Sequence, residues 1–112
     1  MRIAIPVVNG TLSAHFGHCQ CFALVDVDET AKRVVGREDV DAPPHEPGLL
    51  PAWLAQRGVD AIIAGGMGRR AQDLFCQHDI RVIVGADARA PEALVEEYLA
   101  GTLVTGDNVC DH

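Results

Sequence analysis

The alternation of short apolar runs with helical patterns in the second half of the chain constrains the fold most. Apolar side chains recur at helical spacing over residues 49–57, 68–78 and 91–100. Between these segments lie two apolar runs with the length of buried strands, Val59–Ala64 and Ile80–Val84. Such alternation predicts parallel strands joined by right-handed crossovers, with the helices packed on the sheet.

The first half of the chain has the pattern of strands alone. Ile3–Val8 is a nearly continuous apolar run that is typical of a central strand. Cys21–Val27 and Arg33–Val40 are rich in β-branched residues, and the polar segment between them predicts a hairpin. We therefore expect one α/β domain, with a five-stranded mixed sheet, its first strand central, and three helices.

Charge and hydropathy exclude several classes of protein. The 112 residues suffice for one domain, and their net charge of −7 comes without a basic stripe, so we expect no nucleic-acid partner. No apolar run reaches the length of about 18 residues that spans a membrane. The N-terminal residues have the pattern of a strand and not of a signal peptide, so the four cysteines are expected to stay reduced in the cytoplasm.

The predicted strand directions gather four segments at one edge of the sheet. These are Asn9–Cys19, Asp41–Gly48, Gly65–Gly68 and Gly85–Arg89. Ligands of open α/β sheets bind beyond the carboxyl ends of the parallel strands, which is this same edge. We therefore look for the functional residues there.

One of these segments leads into a cluster of imidazoles and thiols. His15, His18, Cys19 and Cys21 lie within seven residues, and His45 follows in a second segment of the same edge. Imidazole and thiolate suit zinc, copper and metal–sulfur centres. We predict that His18 and Cys19 are metal ligands, that His15 and His45 contact a cofactor, and that Cys19 and Cys21 face the same side. Alternatively, Cys21 is a core residue and His15 a plain loop residue.

A glycine-rich turn joins a predicted strand to a predicted helix. Its free N–H groups and the positive end of the helix are suited to an anion, and two arginines add charge. The predicted cofactor-binding residues here are Gly65, Gly66, Met67, Gly68 and Arg69, with Arg70 beside them. The alternative is a tight turn that needs glycine only for a positive φ.

Two other functions use parts of the same residues. Gly66-x-Gly68-x-x-Ala71, with Asp87 after the next strand, is a form of the dinucleotide fingerprint and would suit a nucleotide-binding module. The cysteines would suit a small zinc-binding or redox-sensing interaction protein. The element order is also that of ribonuclease H, but the first strand lacks the carboxylate that metal-dependent cleavage needs, which disfavours nuclease chemistry. Other enzyme signatures, such as a serine nucleophile elbow, are mostly absent, so we expect no enzyme.

The remaining two cysteines lie far apart in the chain. Cys76 falls near the lower end of the second predicted helix, so we expect it to pack or face solvent. Cys110 and His112 belong to a tail, residues 102–112, that is long enough to return to the ligand edge. We predict Cys110 as a further metal ligand.

Several motifs together resemble the dinitrogenase iron–molybdenum cofactor-binding family. The resemblance covers almost the whole chain. It is carried by Met1–Pro6, His15–Cys19, His45–Pro51, Gly58–Asp60, Gly65–Gly68, Tyr98–Leu103 and Gly106–His112.

The resemblance implies a ribonuclease H-like motif with strand order 3-2-1-4-5. It also implies non-catalytic binding of a metal–sulfur cluster that contains molybdenum, of an iron–molybdenum or a molybdenum–copper type. We therefore expect residues 1–101 to form a metal–sulfur cofactor-binding domain, followed by the tail. The expected role is to carry or store the cluster as a monomer or weak dimer, with a protein partner in cofactor delivery and no membrane partner.

Overall fold

The structure is a computed structural model that describes residues 1–13, 19–43, 48–103 and 105. The strands of the first half are β1 (Arg2–Val8), β2 (Thr11–Leu12), β3 (Cys21–Asp28) and β4 (Arg33–Asp41). The second half contributes α1 (Leu49–Ala55), β5 (Ala61–Ile63), α2 (Arg69–Gln77), β6 (Arg81–Ile83) and α3 (Pro91–Ala100). The chain is thus one α/β domain with three helices and a mixed sheet, as the sequence predicts.

The sheet has six strands, so the predicted count of five is wrong. Five strands follow the order β4-β3-β1-β5-β6, and β2 pairs with β1 outside this path. Asn9 and Gly10 form the two-residue turn between β1 and β2, with φ values of 52° and 84°. Two positive φ angles in an Asn-Gly pair are the geometry of a tight hairpin. The added strand is therefore a hairpin whose second arm is only two residues long.

The central position of β1 is confirmed. It pairs antiparallel with β3 and parallel with β5, and β5 pairs parallel with β6. The predicted order 3-2-1-4-5 is therefore found once β2 is set aside. Since β1, β5 and β6 run in one direction, their carboxyl ends share one edge of the sheet, which we call the carboxyl edge.

The strands bury both faces of the sheet. On one face Ile3 and Ile5 pack in a cluster with Leu94 and Val95 of α3. On the other face Ala4 packs in a cluster that contains residues of α1 and α2, among them Leu54 and Phe75. Adjacent residues of a strand point to opposite faces, which explains why an almost uninterrupted apolar run forms β1.

The second helix ends one residue earlier than the helical spacing predicts. His78, the last residue of the predicted helical segment 68–78, follows the last helical residue and is exposed. Asp79 then takes a positive φ of 58°, which turns the chain toward β6. Within the described ranges, no helix is long and apolar enough to cross a membrane.

Candidate functional site

The glycine turn, Gly65–Gly68, lies at the carboxyl edge beside the end of β1. The parallel register pairs Ala4 with Ile62, and its extension by three residues sets Gly65 level with Val7. Gly65 and Gly66 are buried, whereas Gly68 is exposed and begins α2 with a φ of −64°. An ordinary negative φ means that Gly68 is not required for a left-handed backbone.

Two successive carbonyls at the start of the glycine turn accept hydrogen bonds from the segment that follows β6. The Ala64 carbonyl accepts a hydrogen bond from the Ala86 N–H (3.2 Å), and the Gly65 carbonyl accepts one from the Gly85 N–H (2.8 Å). In a regular strand successive carbonyls point to opposite sides. Here both point toward β6, so the strand pattern is broken at Gly65.

The broken pattern aligns two N–H groups. Because a trans peptide unit is planar, each N–H points opposite to the carbonyl of the preceding residue. The N–H groups of Gly65 and Gly66 are therefore both directed away from β6, to the side on which β1 lies. Within the described part of the chain neither donates a backbone hydrogen bond. Successive N–H groups with a common direction form a concave site for anions.

The N-terminus of α2 adds positive charge next to this turn. Arg69 and Arg70 are the first two residues of the nine-residue helix, and both are exposed. Among the described residues neither forms an ion pair. The helix dipole and the two guanidinium groups therefore attract an anion at this edge.

Cys19 lies on the other side of β1 at the same edge. Its neighbour Gln20 donates its N–H to the Val7 carbonyl (2.8 Å), which anchors this segment to the end of β1. The half-buried Cys19 side chain packs against the cluster that contains Met67, on the face of α1 and α2. Burial raises the pKa of the Cys19 thiol to about 11, so the group is a neutral thiol at neutral pH.

Cys21 faces the opposite side of the sheet, so the prediction that both thiols share a face is wrong. It packs against the cluster on the α3 face. The strand β3 begins only at Cys21, and Cys19 lies before it in irregular backbone. The two-residue alternation therefore does not extend back to Cys19. Burial and the nearby carboxylates of Asp39 and Asp41 raise the pKa of the Cys21 thiol.

The other predicted site residues have separate positions. The Met67 side chain is fully buried in the core, so it does not face a ligand at the surface. Cys76 is exposed on α2, as predicted. His15, His18, His45, Cys110 and His112 lie outside the described residues. Among the residues that the structure describes, no group of three metal-ligating side chains comes together.

Three residues that help to form the site are not among the predicted site residues, although the segment Gly85–Arg89 was expected at this edge. Gly85 and Ala86 hold the carbonyls described above, and Gln72 of α2 donates its side-chain amide to the Met67 carbonyl (2.9 Å). Gly85 has a φ of 84°, and a glycine directly after an apolar strand was the available signal. Gln72 has no comparable signal, because a polar residue in the first turns of a helix is ordinary.

The opposite edge of the sheet contains an open cavity of about 440 Å³. Charged side chains of both signs line it, together with one aromatic ring; they include Glu29, Lys32, Asp60, Asp79, Arg81 and Tyr98. Among the described residues its lining offers no cysteine or histidine, whereas Cys19 lies at the carboxyl edge.

Comparisons with known proteins agree with the fold. A model of the family described as dinitrogenase iron-molybdenum cofactor matches residues 1–101. The uncharacterized protein MJ0580 of Methanocaldococcus jannaschii is 32% identical over 106 residues, which cover 92% of this chain and 89% of that protein. The crystal structure of PH0822 has a TM-score of 0.85 at 30% identity and covers 94% of each chain. The apo form of the orange protein from Desulfovibrio gigas has a TM-score of 0.73 at 23% identity, with 96% and 93% covered.

Proposed function

Because the chain belongs to the dinitrogenase iron-molybdenum cofactor family, we propose that it binds an anionic metal–sulfur cluster and carries or stores it. The cluster is cargo in this proposal, and the protein does not catalyse a reaction on it. We propose a molybdenum-containing cluster, of the iron–molybdenum or the molybdenum–copper type. The fold is proposed to be a ribonuclease H-like motif.

The aligned N–H groups of Gly65 and Gly66 are the observation that carries this proposal. Buried N–H groups nearly always have an acceptor, yet these two donate to no described residue. The sulfide faces of a metal–sulfur anion accept hydrogen bonds from backbone N–H groups. An anion of this kind would complete the hydrogen bonding of the turn, and Arg69 or Arg70 would balance its charge.

The donor set fits a thiophilic metal as well as an anion. Cys19 offers a soft sulfur ligand at the same edge and on the same face as the turn. Thiolate and imidazole select copper, iron–sulfur and similar centres over magnesium or calcium. We propose that His15, His18, His45 and Cys110 add soft contacts, with His18, Cys19 and Cys110 as the metal ligands.

The proposed setting follows from the same chemistry. Reduced thiols persist in the cytoplasm, so we propose a cytoplasmic carrier. A cluster that is stored in one protein and used in another needs a handover, so we propose a protein partner in cofactor delivery. We propose that the carrier itself is a monomer or a weak dimer.

Anaerobic titration with tetrathiomolybdate, followed by visible absorption, tests the proposal. We expect the wild-type protein to bind the anion with a change in its absorption bands, and protein purified without air to contain molybdenum and sulfide. Gly66→Val places a side chain beside the aligned N–H groups at a buried position, and we expect it to weaken binding at least tenfold.

Gly36→Ala is the control for this variant. Gly36 lies in β4 opposite Asp26, away from the turn, and a Cβ there would make only ordinary contacts, with Asp26 at 3.9 Å, so the variant keeps both the fold and the aligned N–H groups. Equal affinities of a correctly folded Gly66→Val protein and the wild type would remove the turn from the site. Binding of ATP or NAD with no affinity for tetrathiomolybdate would instead favour the nucleotide-binding alternative.

A further inference from the structure

Gln72 holds two successive carbonyls at the start of α2. Its side-chain amide Nε2 donates to the Met67 carbonyl (2.9 Å), and its backbone N–H donates to the Gly68 carbonyl (3.1 Å). The second bond belongs to the first turn of any helix, but the first does not. The side chain of Gln72 therefore fixes a peptide unit that lies before the helix, in the glycine turn itself.

This contact determines which way the Met67–Gly68 peptide unit faces. Since the unit is planar and trans, holding its carbonyl against Gln72 directs the Gly68 N–H away from the body of α2. Among the described residues the Gly68 N–H donates no hydrogen bond. Without the amide of Gln72, the carbonyl oxygen could rotate toward the opening, where its partial negative charge would repel an anion.

We propose that Gln72 is a positioning residue that keeps the glycine turn selective for anions. The inference rests on the function proposed above and adds the group that sets the polarity of the site. Three carbonyls in or next to the turn are then held by hydrogen bonds and directed away from the proposed ligand. Ala86 and Gly85 hold those of Ala64 and Gly65, and Gln72 holds that of Met67. The N–H groups of Gly65, Gly66 and Gly68 remain for the ligand.

A neutral side chain with a donor suits this position. The protein has a net charge of −7, so a glutamate here would add negative charge at the site and would lose the donated hydrogen bond. A leucine has a similar size but no donor, so it would remove this hydrogen bond without adding charge. These two substitutions therefore separate the hydrogen bond from the charge.

The test is tetrathiomolybdate titration of Gln72→Leu, Gln72→Glu and a control, Gln77→Leu, on the same helix. Gln77 is exposed in the last turn of α2, so its substitution alters the helix without altering the turn. Loss of one hydrogen bond corresponds to roughly a three- to tenfold loss of affinity for Gln72→Leu. We expect a larger loss for Gln72→Glu and wild-type affinity for Gln77→Leu.

Amide NMR spectra of the ligand-free proteins give a second measurement. In Gln72→Leu we expect the Gly68 amide resonance to shift. The Gly85 amide, which bonds the Gly65 carbonyl, should keep its position. A purely structural role of Gln72 would instead lower the thermal midpoint without this local change.

The outcomes separate the two proposals. A wild-type protein that does not bind tetrathiomolybdate overturns the proposed function and this inference with it. Wild-type binding together with equal affinity and an unchanged Gly68 amide in Gln72→Leu overturns only the role of Gln72. Should Gln72→Leu fail to fold, Gln72→Met, an unbranched and uncharged side chain of similar length without a donor, decides the question by the same two measurements.

Discussion

Cys19 and Cys76 differ in burial and in their position relative to the carboxyl edge. Cys19 is half-buried at the carboxyl edge, and Cys76 is exposed on α2 beyond the turn. We expect Cys19→Ser to lose at least nine-tenths of the bound metal after reconstitution with tetrathiomolybdate, because serine is a poor ligand for soft metals. Cys76→Ser should bind as the wild type does. Equal metal content in the two variants, measured by elemental analysis, would contradict the assignment.

The protonation of Cys19 gives a second prediction at this scale. Burial raises the pKa of its thiol to about 11, and only the thiolate reacts with iodoacetamide. Between pH 7 and pH 9 the alkylation rate of Cys19 should therefore rise about tenfold per pH unit without a plateau. Mass spectrometry of the Cys19 peptide, in a protein whose other cysteines are serine, measures this rate. A plateau below pH 9 would mean that the thiol is not protected by burial.

At the scale of single elements, one ion pair connects α3 to the edge strand β4. Arg37 of β4 forms ion pairs with Asp39 of the same strand and with Glu92 in the first turn of α3. The hydrogen bond from Arg37 lowers the pKa of Glu92. A carboxylate with a lowered pKa stabilises the fold at neutral pH, and this contribution is lost as the pH falls through the pKa of the folded state.

Glu92→Gln should therefore destabilise the protein only above that pKa. Since both side chains are partly exposed, the expected cost at pH 7 is less than about 1 kcal/mol. Urea unfolding at pH 7 and at pH 3 measures the difference, which should be smaller at the lower pH. Glu96→Gln, at an exposed position of the same helix, is the control and should match the wild type at both values.

The strands show which features of the fold could be predicted from the sequence and which could not. The central position of β1 was predictable because a strand buried on both faces has an almost continuous apolar run. The short strand β2 was missed, although the Asn9-Gly10 pair is a hairpin signal. The relative facing of Cys19 and Cys21 could not be predicted, because the alternation holds only inside a strand and the boundary at Cys21 has no sequence signal.

The candidate site was predictable in its composition but not in its geometry. A strand, a glycine-rich turn and a helix suffice to predict an anion site at the carboxyl edge. The direction of the Gly65 and Gly66 N–H groups depends on hydrogen bonds from Gly85 and Ala86, about twenty residues later in the chain. Such a long-range pairing is a property of the folded sheet.

At the scale of the whole molecule, an acidic protein is proposed to bind an anion. The net charge of −7 repels such a ligand at long range, while the contacts inside the turn act at short range. Salt shortens the screening length from about 30 Å at 0.01 M to about 8 Å at 0.15 M. We therefore expect the affinity for tetrathiomolybdate to stay constant or rise up to a few-fold over this range. A steep loss with salt would indicate that exposed arginines, and not the backbone, hold the anion.

Arg69→Ala and Arg70→Ala test how much the two exposed guanidinium groups contribute to anion binding. Adjacent residues of a helix point about 100° apart, so only one of the two guanidinium groups can approach the turn closely. We expect one variant to bind moderately more weakly and the other to bind nearly as the wild type does, in the same titration. Equal and large losses in both would show that general charge, and not a directed contact, governs binding.

The hydrogen bonds from Gly85 and Ala86 to the turn have a consequence for the order of events during synthesis. The turn leaves the ribosome well before the residues that fix its carbonyls. A nascent chain that contains β1, β5 and the turn, but not yet Gly85 and Ala86, lacks the hydrogen bonds that align the N–H groups of Gly65 and Gly66. Under the proposed function, the unfinished polypeptide is therefore unable to bind a cluster, and binding requires that the residues after β6 have joined the fold.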